Sequence, residues 1–344
     1  MNLFRILVSP LALLYLAVTH FRNKLFNWGA LKQYTSTIPV ISIGNLSMGG
    51  TGKTPHVAYI LEHFRKRHTT VISRGYRRKS KHLIEGNKEL HTSQDLGDEP
   101  MELLDKFNGE HFKIIVENSR VKALKHIENQ TQPTELILLD DGYQHRYADR
   151  HLNILLTEYN KPFYNDFVLP MGTLRESRTG AKRADVIVMT KCPKDISLDI
   201  QEKVKEKIKK YSSAIILFSQ IEYDGFENQK DEVVKLNKDK SFLLVTGIAN
   251  PQPIYQSLSD AMIQFESMKF PDHHHFSQKD LQNISQKAQE FEGIITTEKD
   301  WMRLRETDLK TSKSLDIFRI KMGVNFINPQ QNKAFKDQLE SVLN

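Results

Sequence analysis

"IPVISIGNLSMGGTGKTPHVAYILEHFRKR", Ile38 to Arg67, decides the fold. Its first third, Ile38–Ser47, is an apolar run that reads as a buried strand entering a glycine-rich turn. From Thr54 to Arg67 the apolar residues Val57, Ala58, Ile60, Leu61 and Phe64 recur at helical spacing, and Pro55 suits a first helical turn. Strand, glycine loop and helix together make the setting of a phosphate-binding loop, G-x-x-x-x-G-K-[ST]. Gly52, Lys53 and Thr54 complete that pattern, with Ser47 in place of its first glycine. Gly49, Gly50, Thr51 and Gly52 let successive N–H groups turn toward phosphate oxygens. The helix start adds its positive dipole end. Lys53 can reach the β- and γ-phosphates, and the Thr54 hydroxyl can ligate Mg²⁺.

Downstream, "ELILLDDGYQH" (Glu135–His145) is a strand ending in two acids. Asp140 and Asp141 are the candidates for holding Mg²⁺ beside the loop, one of them more directly than the other. "TTVISRGY", "FKIIVEN", "LNILLTE" and "ADVIVMTK" supply further strands, separated by helical stretches. This alternation predicts an α/β fold with a mostly parallel sheet covered on both faces. A helix is expected from about 198 to 211. The segment "AIILFSQIEYDGF" and the polar stretch after it read as a connection. A second α/β unit starts at "SFLLVTGIANP" (Ser241–Pro251). The expected boundaries are 1–30 for an N-terminal helix, 31–218 for the phosphate-loop domain, 219–240 for the connection and 241–344 for a smaller C-terminal domain.

The 344 residues carry a net charge of +7, which points to an anionic partner: nucleic acid, a membrane surface or a phosphorylated substrate. Nucleic acid is disfavoured, because no interleaving of basic and aromatic residues marks a strand-binding channel. Cys192 is the only cysteine, so neither an internal disulfide nor a cysteine-rich zinc site is available. The uncharged stretch Ile6–Thr19 is followed by His20, Phe21, Arg22, Lys24, Phe26 and Trp28. It is short for a spanning helix and suits one lying in a membrane interface. The loop also resembles that of the MinD/ParA-type ATPases, but Met48 stands where their signature lysine belongs.

Read in order, "GNLSMGGTGKTP", "SRGY", "GDEP", "LLDDGYQH", "LPMGTLRE", "RADVIVMTK", "TGIANP", "FPDHHHFS" and "TTEKD" closely resemble the tetraacyldisaccharide 4'-kinase family of lipid A biosynthesis. The likeness runs from the first residues to about Trp301. It implies a P-loop α/β/α sandwich with a second, smaller α/β domain and an N-terminal hydrophobic helix, the two domains joined by a small two-stranded element. It also implies transfer of phosphate from ATP, with Mg²⁺, to the 4'-hydroxyl of tetraacyldisaccharide 1-phosphate at the cytoplasmic face of a Gram-negative inner membrane. A serine in place of the first glycine is ordinary in that family. No obligate protein partner is evident.

The resemblance makes Asp98 of "LGDEP" the catalytic acid/base, with Glu99 near Mg²⁺; without it, Asp98 reads equally well as a helix N-cap. A histidine of "PDHHHF" would pair with Asp98 across the cleft, His273 being the choice and His274 the alternative. Arg74 and Arg175 are candidates for phosphate contacts, since a guanidinium suits bidentate recognition. Thr190 and Lys191 follow a strand near the nucleotide. Glu298, Lys299 and Asp300 match a family motif and read as a structural ion pair.

Overall fold

In the computed structural model, residues 3–343 are described apart from 77, 108, 110, 132, 273 and 306–314. Helix α1 (Leu3–Asn27) comes first, then β1 (Val40–Asn45), α2 (Lys53–His63), β2 (Thr69–Ser73), β3 (Ile84–Glu85), α3 (Ser93–Leu96), α4 (Asp98–Lys106), β4 (Phe112–Val116), α5 (Arg120–Glu128) and β5 (Leu136–Asp140). The chain continues through β6 (Leu152–Glu158), β7 (Val186–Thr190), α6 (Leu198–Lys209), β8 (Ile215–Glu227) and β9 (Val233–Val234). It ends with β10 (Ser241–Thr246), α7 (Gln252–Asp260), β11 (Gln264–Lys269), α8 (Gln278–Ala288), β12 (Ile294–Thr297), α9 (Glu298–Leu304), β13 (Ile317–Phe326) and α10 (Pro329–Glu340).

The strands form one sheet in the order β11-β10-β12-β13-β8-β7-β6-β1-β5-β2-β4-β3, with β9 paired to β8. Every pairing from β4 to the start of β8 is parallel, as are those among β10 to β13. The two parallel arrays meet at β8, whose first residues pair with β7 and whose later residues run antiparallel to β13. The stretch read as a connection is therefore half strand. Ser219–Glu227 belongs to β8, and only the residues around the short β9 make a looser link. Helix α2 also stops earlier than its sequence pattern suggested. Phe64 leaves helical geometry as C-cap, and Arg67 N–H closes a turn onto the Phe64 carbonyl at 2.8 Å.

The central strands β1, β5 and β7 are buried along their whole length, and they are the near-continuous apolar runs that parallel sheets require. Beyond its carboxyl end, β1 connects toward β2 on one side of the sheet, whereas the adjacent β5 connects to β6 on the other. Neighbouring strands that diverge in this way leave a crevice at their carboxyl ends, where ligands of open α/β sheets bind.

Helix α1 has two faces. Its inner seam is Ala12, Tyr15, Asn23 and Phe26: Ala12 and Phe26 are buried, and Tyr15 donates to the Arg175 carbonyl at 2.7 Å. Asn23 Nδ2 donates to Glu176 Oε2 at 2.8 Å. Leu7, Leu11, Leu14, Val18 and Phe21 recur every three to four residues on the other face and are all exposed. Among the described residues, no helix is long and apolar enough to cross a membrane.

Candidate active site

The glycine loop lies in the crevice between β1 and α2, tied down on every side. Met48 N–H donates to the Thr173 carbonyl at 2.7 Å, and Ser47 bridges to Leu174. Asn45 Nδ2 donates to Thr51 Oγ1 at 2.8 Å, and Thr190 Oγ1 to the Thr51 carbonyl at 2.9 Å. His56 is wholly buried; one ring nitrogen faces the Gly52 carbonyl at 2.7 Å and the other faces Ser219 Oγ at 2.9 Å. A carbonyl only accepts, so Nδ1 carries the hydrogen and Nε2 accepts from Ser219. Burial holds this imidazole at about 4, so it stays neutral. Gly52 sits at φ 79°, the left-handed region that glycine tolerates. The first turn of α2 leaves the Lys53 and Thr54 N–H groups without helical acceptors, and Pro55 has none to offer.

Opposite the loop, β5 ends at Asp140 and the chain turns sharply, with Asp141 at φ 49°. The turn gives the two aspartates different surroundings. Asp140 is buried and accepts from Ser73 Oγ at 3.1 Å. Burial, with the charges of Glu99 and Asp141, pushes its carboxyl up to about 7. Burial would raise Asp141 too, but Lys53 and Arg175 hold it below the usual range. Lys53 Nζ lies 3.7 Å from Asp141 Oδ1, and Arg175 donates to both carboxylate oxygens at 3.0 and 2.8 Å.

Thr54, Asp140, Asp141 and Glu99 are hard oxygen donors of the kind Mg²⁺ prefers. Among the described residues, no three carboxylate or imidazole groups converge into a metal cage. That donor set fits Mg²⁺ held jointly with phosphates, which needs only one or two carboxylates from protein.

Asp98 is the first residue of α4; Gly97 takes the cap position, so the N-cap alternative for Asp98 is not realised. Its Oδ2 receives Arg303 Nε at 3.2 Å and faces Arg303 NH2 at 3.1 Å. His273 lies outside the described residues. His274 turns its Nε2 to Asp280 Oδ2 at 3.0 Å, inside the capping box of α8. Arg74 is exposed beyond β2, close enough to Arg120 for its charge to act there. Glu298 pairs with Lys106 at 3.3 Å and Asp300 with Arg303 at 3.2 Å.

The sequence matches the family described as LpxK: Tetraacyldisaccharide-1-P 4'-kinase over residues 4–344. The chain belongs to the tetraacyldisaccharide 4'-kinase family. It is 41% identical over 335 residues to a tetraacyldisaccharide 4'-kinase of Flavobacterium johnsoniae, a match covering 96% of each chain. Its identity to one of Bacteroides thetaiotaomicron is 36% over 343 residues, covering 94% of this chain and 90% of that one. Its fold is similar, with a TM-score of 0.78 and 26% identity, to the crystal structure of LpxK from Aquifex aeolicus in complex with ATP, covering 99% and 100% of the two chains. Membership of this kinase family decides against the MinD/ParA-type and nucleic-acid alternatives.

Within this member of the tetraacyldisaccharide 4'-kinase family, several residues escaped the sequence reading. Arg120 is buried and donates to the Asp140 carbonyl at 3.0 Å. Burial lowers its guanidinium to about 10, against the pull of Asp140 and Asp141. Only its place at the start of a helix after a strand hinted at a role. Asn45 and His56, which hold the loop from behind, flank the phosphate-loop pattern Ser47–Thr54 itself.

Glu102, one turn after Asp98, is buried against α9. Burial, then the charge of Glu298, pushes its carboxyl from 4.5 to about 8. The folded state thus holds this proton more tightly than the unfolded chain. Stability is lost as pH rises from about 4.5 to about 8, and the loss is complete above that. Glu102→Gln should flatten the dependence and, at pH 9, melt several degrees above the parent. Melting curves from pH 6 to 9 check this; parallel curves for the two proteins would contradict it.

Proposed function

We propose that the chain transfers the γ-phosphoryl group of ATP to the 4'-hydroxyl of tetraacyldisaccharide 1-phosphate, giving lipid IVA. The observation that carries this reading is the braced glycine loop facing Asp140 and Asp141 in a chain that matches the kinase family along its length. Gly49 to Gly52 and the start of α2 would cradle the phosphates, with Lys53 on the transferred group. Thr54, Asp140, Asp141 and Glu99 would hold Mg²⁺, which when bound offsets phosphate charge. Asp98 takes the proton as the sugar oxygen bonds to phosphorus and the bond to the ADP oxygen breaks. Arg175, with Arg74, stabilises charge on the phosphates, and His273 is assigned to orient Asp98.

Residues 31–218 and 241–344 act as two domains that close over the nucleotide, since Asp98 and His273 belong to different ones. The exposed apolar stripe of α1 lies in the cytoplasmic face of the inner membrane, where Arg22 and Lys24 meet anionic headgroups. A P-loop α/β/α sandwich as the larger of these two domains is the arrangement that the family resemblance implies.

The test combines purified protein, Mg-ATP and detergent micelles of the tetraacyldisaccharide 1-phosphate, with the lipid read by mass spectrometry. Gain of one phosphate on the lipid is expected. ATP consumption with an unchanged lipid would sink the assignment. The same preparation, sedimented with phospholipid vesicles, reports the membrane contact, and a protein that stays in the supernatant argues against it.

A further inference from the structure

We propose that Arg303 is a positioning residue for the reaction, holding the Asp98 carboxylate from the neighbouring helix α9, with Asp300 of the "TTEKD" motif holding Arg303 in turn. The inference rests on the assignment of Asp98 as the base. Arg303 projects from α9, its side chain only 2% exposed. Its guanidinium is shared among three acceptors. Nε donates to Asp98 Oδ2 at 3.2 Å, with NH2 3.1 Å from the same oxygen. NH1 donates to the His274 carbonyl at 3.1 Å and to Asp300 Oδ1 at 3.2 Å.

Asp300 is fully buried and fixed independently. Its Oδ2 accepts from the Gly247 N–H at 2.9 Å and from Thr297 Oγ1 at 2.8 Å. Gly247 directly follows β10 and Thr297 caps α9, so the rigid carboxyl end of the second parallel array sets where the guanidinium points. Both Arg303 contacts fall on Oδ2 of Asp98.

A plain ion pair joining the two arrays is the alternative. That task is already served further along α4, where Asp105 meets Arg305 at 2.5 Å and Arg319 at 3.0 Å, and Lys106 meets Glu298 at 3.3 Å. A three-acceptor fork at the first residue of α4 adds a fixed orientation that a point charge would not give. The His274 carbonyl is tied to the same fork, so the His274 backbone and the base share one anchor.

The experiment is a cycle of Arg303→Gln and Asp98→Asn, singly and together, with kcat and the ATP KM measured in the lipid transfer assay. Arg303→Gln should lower kcat on the order of 100-fold, the scale of a misplaced catalytic group, with the ATP KM little changed. In the Asp98→Asn background it should cost little more, because its effect runs through Asp98. Arg303→Lys keeps the charge without the fork and should recover part of the rate. If Arg303→Gln does not fold, as judged by its melting transition, the cycle is run with Arg303→Lys. Equal losses in both backgrounds, or a raised KM with kcat intact, overturn the proposal. A full rate in Asp98→Asn alone instead removes the base assignment, and this inference falls with it.

Discussion

Asp98→Asn is expected to lower phosphoryl transfer by 10²- to 10⁴-fold, roughly the range that a positioned acid–base group contributes, while ATP still binds. A sugar hydroxyl is a poor nucleophile at neutral pH, and its proton must leave as the new bond to phosphorus forms. Asparagine keeps the size and an acceptor oxygen, so Arg303 still has a partner at this position. What it loses is the ability to take a proton. Asp98 stands on α4, outside the glycine loop, so the loop's bracing by Asn45, Thr190 and His56 is untouched. The expected pattern is a lowered kcat at a near-constant ATP KM, which marks an interaction made in the transition state. An unchanged kcat at saturating ATP and lipid would remove Asp98 from the chemistry.

How much of this was legible in the sequence depends on distance along the chain. The strand, loop and helix from Val40 to His63 are local, and period and glycine placement announced them. Asp140 and Asp141 were equally plain as the acidic end of an apolar strand. Their division of labour was not, because it follows from the backbone turn at Asp141, which leaves one carboxylate buried by Ser73 and swings the other toward Lys53 and Arg175. The role of β8 was hidden for a different reason. A thirteen-residue strand that changes partners halfway looks, in sequence, like one strand running into a polar linker.

Arg303 and Asp98 are 205 residues apart, and nothing in the amphipathic pattern of α9 distinguishes an arginine that reaches a neighbouring helix from one that faces water. The same applies to His56. On the helix it is one more residue beside an apolar stripe, and only the fold brings Ser219 to its far nitrogen. Family resemblance drew attention to "TTEKD" without a physical reason for it. The reason lies in two hydrogen bonds to Asp300, one from Thr297 within the motif and one from the Gly247 N–H, which the fold brings in from the end of another strand.

Lys53→Met is expected to cut transfer by about 10²- to 10³-fold, the scale of losing one fixed donor aimed at developing negative charge. Methionine is the informative replacement. It keeps the length of the apolar stem and a good helix propensity at the first position of α2, so little changes but the charge. The folded protein should survive the loss. Asp141 retains Arg175, which reaches both of its oxygens, whereas Lys53 lies 3.7 Å from one of them. Melting temperature should therefore move by only a few degrees, and kcat/KM should move far more.

Lys53→Arg should not restore the rate. A planar guanidinium has a different donor geometry from a compact ammonium, and the Asp141 side of the site already carries one in Arg175. Steady-state kinetics, ATP titration and melting curves on the three proteins separate these effects. A fall in rate that tracks a fall in melting temperature would make Lys53 a structural partner of Asp141. A fall in rate on a stable fold assigns its charge to the phosphates, and a full rate in Lys53→Met would mean that the loop between β1 and α2 does not grip the transferred group.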